Sequence, residues 1–151
     1  MADQGILGTF ASHDFLRGLS DRHLMLLASG ARPFRAAAGE YLGREGEPAR
    51  YFYLLQAGQV AIETSHPERG TPLVQTLGPG DMLGWSWLVP PHTWRFDCRA
   101  LEPVQGIVFD AEWLREKCEQ DHELGYQLLK QLVGVIASRL AATRQQLLKQ
   151  P

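Results

Sequence analysis

The pattern of apolar and polar positions changes character twice along the chain. Between about Ser12 and Ala31 it reads as short helices. Ser20 or Asp21 offers a cap, Leu24, Leu27 and Ala28 share one face of a helix over Arg22–Ser29, and Gly30 can end it. From Pro33 to Asp110 the text shortens to runs rich in β-branched and aromatic residues. These predict strands at Tyr51–Leu55, Gln59–Glu63, Leu73–Leu77, Phe96–Leu101 and Val104–Phe109. Glycines at Gly39, Gly46, Gly58, Gly70, Gly78 and Gly80 punctuate them as turns. Many short strands with no helical pattern between them argue for an antiparallel sandwich or jelly roll, not a parallel α/β sheet. From Ala111 the helical period returns. Glu112–Gln120 predicts a short helix with Trp113 and Leu114 as its apolar contacts, and Asp121 caps a long one. Along that helix Leu128 or Leu129, Leu132, Ile136, Leu140, Thr143 and Leu147 recur at alternating spacings of three and four. Such a seam suits a partner helix as well as the helix's own domain.

Composition narrows the class. At 151 residues, 44% of them hydrophobic, the chain suits one domain over 1–151: N-terminal helices over 12–31, a jelly roll over 33–110 and C-terminal helices over 111–150. A formal charge of −2, from 15 Lys+Arg against 17 Asp+Glu, lacks the basic footprint of a dedicated nucleic-acid binder. No apolar stretch approaches the roughly 20 residues that span a bilayer. The start, MADQGILGTFASHDFLRG, carries no basic n-region followed by an apolar run. The expectation is a cytoplasmic protein with no nucleic-acid or membrane partner, its two cysteines Cys98 and Cys118 reduced.

Catalytic signatures are missing from the text. His13, His23, His66, His92 and His122 stand singly, and no H-x-H, H-E-x-x-H or C-x-x-C occurs. G-x-S-x-G, the P-loop pattern and G-x-G-x-x-G are also absent. The expectation is therefore no catalytic residue, no metal, no cofactor and no enzyme activity, but a binding or regulatory role. One segment is specialised: Gly78-Pro-Gly-Asp-Met-Leu-Gly-Trp-Ser-Trp-Leu-Val-Pro-Pro-His-Thr-Trp-Arg95. A helical turn over Trp85–Leu88 would aim backbone N–H groups at an anion. Gly84 permits close approach of a ligand. Arg95 can add a charge-assisted bond to the same anion. Equally, Trp85, Trp87 and Trp94 can plug one end of the barrel and leave Arg95 in solvent.

The order Arg32-x-Phe34, Ala38-Gly-Glu-Tyr-Leu42, Glu45-Gly-Glu, Tyr51-Phe-Tyr-Leu-Leu, Gly58-Gln-Val-Ala-Ile62, Leu77-Gly-Pro-Gly-Asp81 and Leu83-Gly84 resembles a cyclic nucleotide-binding domain. The likeness is greatest to the sensor half of Crp/Fnr-type regulators and runs from about Phe15 to Leu148. It implies an eight-stranded double-stranded β-helix (jelly roll) barrel, mainly β, with flanking short helices and a long C-terminal helix. It also implies a phosphate-binding cassette that begins Phe-Gly-Glu and ends in an arginine. The cassette's glutamate holds the ribose 2′-hydroxyl, and the arginine pairs with the cyclic phosphate. Here Leu83-Gly84 matches the first two positions, and Trp85 stands in place of the glutamate. Counted forward from Gly84, Arg95 takes the arginine position; counted back from Cys98-Arg99-Ala100, Trp94 does. Arg139-Leu-Ala-Ala-Thr143 resembles the stretch that offers a hydroxyl to the purine edge, often across a dimer.

The implied ligand-binding set is Gly84, Trp85, Ser86, Trp87, His92, Trp94 and Arg95, with Thr143 facing the purine. Loss of the glutamate would weaken cyclic nucleotide binding by about one to two orders of magnitude, offset in part if an indole stacks on the base. The resemblance implies a stand-alone sensor for a small anion, cyclic AMP or cyclic GMP, without the winged-helix domain that follows in the regulators. It would act as a homodimer through the C-terminal helix or on a separate partner protein. Two alternatives stay open. One is a degenerate, ligand-free dimerisation or interaction module; the other is the same shell reading another small anion or an aromatic molecule through His92, Trp94 and Arg95.

Overall fold

A computed structural model describes residues 13–64, 68 and 73–149. The turn expected at Gly70, the lone His66 and the chain ahead of His13 lie outside the described residues. A single 3-10 turn (Asp14–Leu16) precedes α1 (Asp21–Gly30), which Ser20 caps by accepting from the His23 N–H. Eight strands follow among the described residues: β1 (Ala31–Ala36), β2 (Tyr41–Gly43), β3 (Tyr51–Ala57), β4 (Val60–Glu63), β5 (Leu73–Leu77), β6 (Met82–Leu83), β7 (Asp97–Ala100) and β8 (Val104–Asp110). Two helices close the chain, α2 (Ala111–Gln120) and α3 (His122–Lys149). Asp110 caps the first through the Trp113 N–H, and Asp121 caps the second through the Leu124 N–H.

The strands form two four-stranded antiparallel sheets, ordered β1-β8-β3-β6 and β2-β7-β4-β5. This is the mainly β jelly roll with flanking helices that the sequence predicts. Three strands escaped the apolar-run reading. β2 and β6 are only three and two residues long. β1 starts directly after Gly30 and contains Pro33, a residue that argues against a central strand. Pro33 is tolerated because β1 is a sheet edge, paired only with β8.

The continuous apolar run in β3 is explained by burial on both faces. Phe52 and Leu54 point to a core shared with the helices, together with Met82, Ile107, Phe109, Leu114, Leu124, Leu128 and Leu132. Tyr53 and Leu55 point the other way, into a core between the sheets with Val60, Ile62, Leu83, Trp94 and Cys98. Strand alternation thus assigns neighbours to different compartments. On α1, Leu27 and Ala28 are buried as expected, but Leu24 is only partly so, and His23 takes the third buried place. Its Nε2 lies 3.3 Å from the Asp121 carboxylate.

His13 is buried where the chain enters the first core. Its Nδ1 accepts from the Phe15 N–H at 3.2 Å, which leaves Nε2 to donate to the Leu55 carbonyl, also at 3.2 Å. Burial lowers its pKa from 6.5, against smaller opposing effects of the Leu55 carbonyl, Asp14 and Asp81. The neutral ring is the folded form, so its contribution to stability is complete above 6.5 and is lost as pH falls through the lower folded value. The urea midpoint is expected to drop between about pH 7.5 and pH 5.5, and His13→Gln to flatten that slope. An unchanged slope in the variant would refute the assignment.

Candidate functional site

β6 delivers the chain into a loop over residues 84–96 that returns as β7. Gly84 has φ +97°, a conformation that side chains rarely adopt, and a Cβ there would lie 2.9 Å from Cη2 of Trp94. A Cβ on Gly43 of β2 would overlap the same indole. The two glycines therefore make the slot that Trp94 fills. Its backbone is pinned as well: the Trp94 N–H donates to the Glu47 carbonyl at 2.9 Å, and its carbonyl accepts from Gly46 at 2.8 Å. The turn expected over Trp85–Leu88 is present as one hydrogen-bonded turn, Leu88 N–H to the Trp85 carbonyl at 3.2 Å.

Between this loop, the open end of the second sheet and α3 lies a cavity of about 360 Å³, within the usual range of small-ligand sites. Gly84, Trp85, Ser86, Trp94, Arg95 and Thr143, six of the eight candidate residues, line it. Trp87 and His92 do not. Trp87 turns into the helix-side core, its ring 5.6 Å from that of Phe52, and its carbonyl accepts from Arg115 of α2 at 2.8 Å. His92 follows the cis Pro90–Pro91 bond with φ +60° and lines grooves beside Arg50, Glu112 and Arg115 instead. The three tryptophans thus have three places: Trp87 in the core, Trp94 in the mouth as a wedge, Trp85 on the cavity wall.

The cavity is cationic. Arg95 lays its guanidinium over the Trp85 ring, Cζ 4.9 Å from the centroid. Its Nη2 donates to the Pro90 carbonyl at 3.3 Å, and its buried Nη1 has no hydrogen-bond partner among the described residues. From α3, Arg139 reaches in and donates to the Met82 carbonyl. Burial lowers the Arg139 pKa from its ordinary value, opposed by Asp81 and Cys98. Cys98 is pushed up to about 12, chiefly by burial and with Arg139 opposing, so its thiol stays protonated at neutral pH. Gln75 of β5 donates to the Arg139 carbonyl at 2.7 Å and approaches Thr143 Oγ1 at 3.5 Å. Among the described residues, no Asp or Glu lines the cavity. Among the described residues, no three His, Cys, Asp or Glu cluster as a metal site, and no helix is long and apolar enough to cross a membrane.

Sequence reasoning missed Arg139 as a wall residue although it quoted the stretch. The available signal was spacing: Arg139 precedes Thr143 by four and follows Ile136 by three, which places all three on one helix face. Gln75 and Ile62 come from distant strands, and no local pattern marks them.

A jelly roll with a cavity between the loop over 84–96 and a long C-terminal helix defines the class of fold. Residues 33–121 match the family described as the cyclic nucleotide-binding domain. The chain belongs to that family, and its fold is that of the Crp/Fnr-like members. It is 32% identical over 102 residues, 68% of its own length, to the acetyltransferase Pat of Mycolicibacterium smegmatis, of which it spans only 30%. A candidate cyclic nucleotide-binding protein of Geobacter metallireducens superposes with a TM-score of 0.77 at 26% identity, covering 85% of this chain and 92% of that one. A cyclic nucleotide-binding domain of Methylobacillus flagellatus gives 0.80 at 21% identity, covering 96% and 82%.

Proposed function

We propose that this chain is a non-catalytic sensor module that binds a small anion in the cavity between Arg95 and α3, with cyclic AMP or cyclic GMP as the family's form of that ligand. The observation that carries it is the cavity wall: among the described residues it holds two guanidinium groups and no carboxylate. A desolvated arginine with a spare donor gains a charge-assisted bond when an anion arrives. Arg95 supplies the anchor on the loop side. Arg139 and Thr143 supply the contacts on α3, so occupancy biases the position of that helix. The reading in which indoles close the mouth has Trp94 in its favour, but the space beside Gly84 weighs against it.

The signal leaves through a second copy of the chain. On α3, Tyr126, Leu129, Val133, Ile136, Leu140, Thr143 and Leu147 follow the three-four heptad spacing, and all but Ile136 and Thr143 are largely exposed. The seam read from sequence is therefore divided. Leu128 and Leu132 belong to the domain core, and the face left for a partner runs through Leu129, Val133 and Leu140. Because Ile136, Leu140 and Thr143 also line the cavity, ligand and partner meet on the same helix.

Thermal melting and calorimetry with cyclic AMP and cyclic GMP test this proposal. Ligand at about 100 times its dissociation constant adds about 2.7 kcal/mol of stability, a rise in Tm of roughly 5–10 °C for a chain of this size. Arg95→Ala is expected to weaken binding at least about tenfold, through loss of a bond worth about 1.5–3 kcal/mol. A wild-type Tm unmoved by both nucleotides and by an organic monoanion such as 2-naphthoate, each at about 100 times any useful dissociation constant, would overturn it.

A further inference from the structure

We propose that the cavity selects organic monoanions with an apolar, hydroxyl-poor body, an aromatic carboxylate being the simplest example, over sugar phosphates that carry free hydroxyls. The inference rests on the sensor proposal and narrows its ligand class. Beyond the two arginines, the wall is dominated by Trp85, Trp94, Phe96, Ile136 and Leu140. Of the other polar side chains on the wall, Ser86, Gln75 and Thr143, the Gln75 amide N–H donates to the Arg139 carbonyl and approaches the Thr143 hydroxyl. With no carboxylate among the described residues of the wall, a ligand hydroxyl that enters gives up water without an ionic acceptor. An unpaired buried hydroxyl lowers affinity by roughly tenfold to a hundredfold.

The anionic end has a defined place. Arg95 lies over the Trp85 ring, one of its donors is taken by Pro90, and Nη1 is buried with no partner among the described residues. Arg95 lines the cavity and a guanidinium has five donors in a fixed fork, so a carboxylate there can bond without displacing the Pro90 contact. Trp85 has a double part in this scheme. It orients the cation, and its indole occupies the sequence position where a carboxylate would have favoured a hydroxylated ligand. The site therefore reads an apolar body and a single negative charge.

Calorimetry on the full chain with four probes tests this: 2-naphthoate, its neutral analogue 2-naphthylmethanol, cyclic AMP and 2′-deoxy cyclic AMP. Naphthoate is expected to bind at least about tenfold tighter than the alcohol, a charge-assisted bond being worth that much, and Arg95→Gln to erase the difference. 2′-Deoxy cyclic AMP is expected to bind roughly tenfold or more tighter than cyclic AMP in the wild type, through the unpaired hydroxyl, with Trp85→Glu reversing that preference. Naphthoate binding no tighter than the alcohol, or cyclic AMP binding to the wild type as tightly as its deoxy form or tighter, would overturn the ligand class while leaving the sensor proposal standing. Failure of every anion to bind would overturn both. The wild-type comparisons decide the matter even if Trp85→Glu does not fold.

Discussion

Trp87→Ala is expected to lower the free energy of unfolding by about 3–5 kcal/mol, the range for truncating a fully buried aromatic side chain. Trp87 is 1% exposed and packs on Phe52 in the core that joins the strands to the helices. At this chain length such a loss lowers Tm by on the order of 10 °C, readable by urea or thermal unfolding. Its indole N–H is buried and has no partner among the described residues. Trp87→Phe therefore removes a desolvated donor while keeping most of the volume, and is expected to cost far less than the alanine change. A ligand-contacting Trp87 would behave the other way, with little loss of stability and a large loss of binding. Equal costs for Phe and Ala would also contradict a packing role.

The second large effect separates two leucines eight residues apart on α3. Leu132→Ala is expected to cost about 2–5 kcal/mol in unfolding free energy, because Leu132 is 1% exposed within the helix-side core. Leu140→Ala removes a side chain that is 69% exposed, and is expected to leave the stability of the isolated subunit within about 0.5 kcal/mol. Its effect falls on self-association, measured by sedimentation equilibrium across a concentration series. If Leu140→Asp leaves the sedimentation profile of the wild type unchanged, the exposed stripe is not the contact between copies. If Leu132→Ala is neutral, the assignment of that leucine to the core fails.

The same helix shows what a linear pattern can and cannot resolve. The alternating three-four recurrence was legible, and so was the cap at Asp121. The choice between Leu128 and Leu129 was not, because adjacent positions differ by only about 100° around the axis. What fixes the rotation is the core that α3 meets: Leu124, Leu128 and Leu132 all enter it together. That information lies in β3, β6 and β8 and in no local stretch of α3.

The loop over 84–96 repeats the lesson. Gly84 and the run of three tryptophans marked it as specialised, and the absence of an acid beside Gly84 was plain from the text. The two ways of counting its residues left Trp94 and Arg95 in competition for one position. In space they do not compete. Trp94 fills the slot between Gly43 and Gly84, and Arg95 lies on Trp85 at the cavity wall.

Sequence by itself determined the order of the helices and of five strands, Ser20 or Asp21 as the cap of the first helix, the cap at Asp121, and the replacement of a carboxylate by Trp85. Each is a local property, set by side-chain chemistry acting over a few residues. Tertiary structure alone decided which indoles face the cavity, that Arg139 joins Arg95 there, and which leucines remain for a second chain. Those outcomes depend on contacts between residues far apart in the chain, such as Gln75 with Arg139 and Gly43 with Trp94, whose pairing is fixed only when the two sheets and α3 pack together.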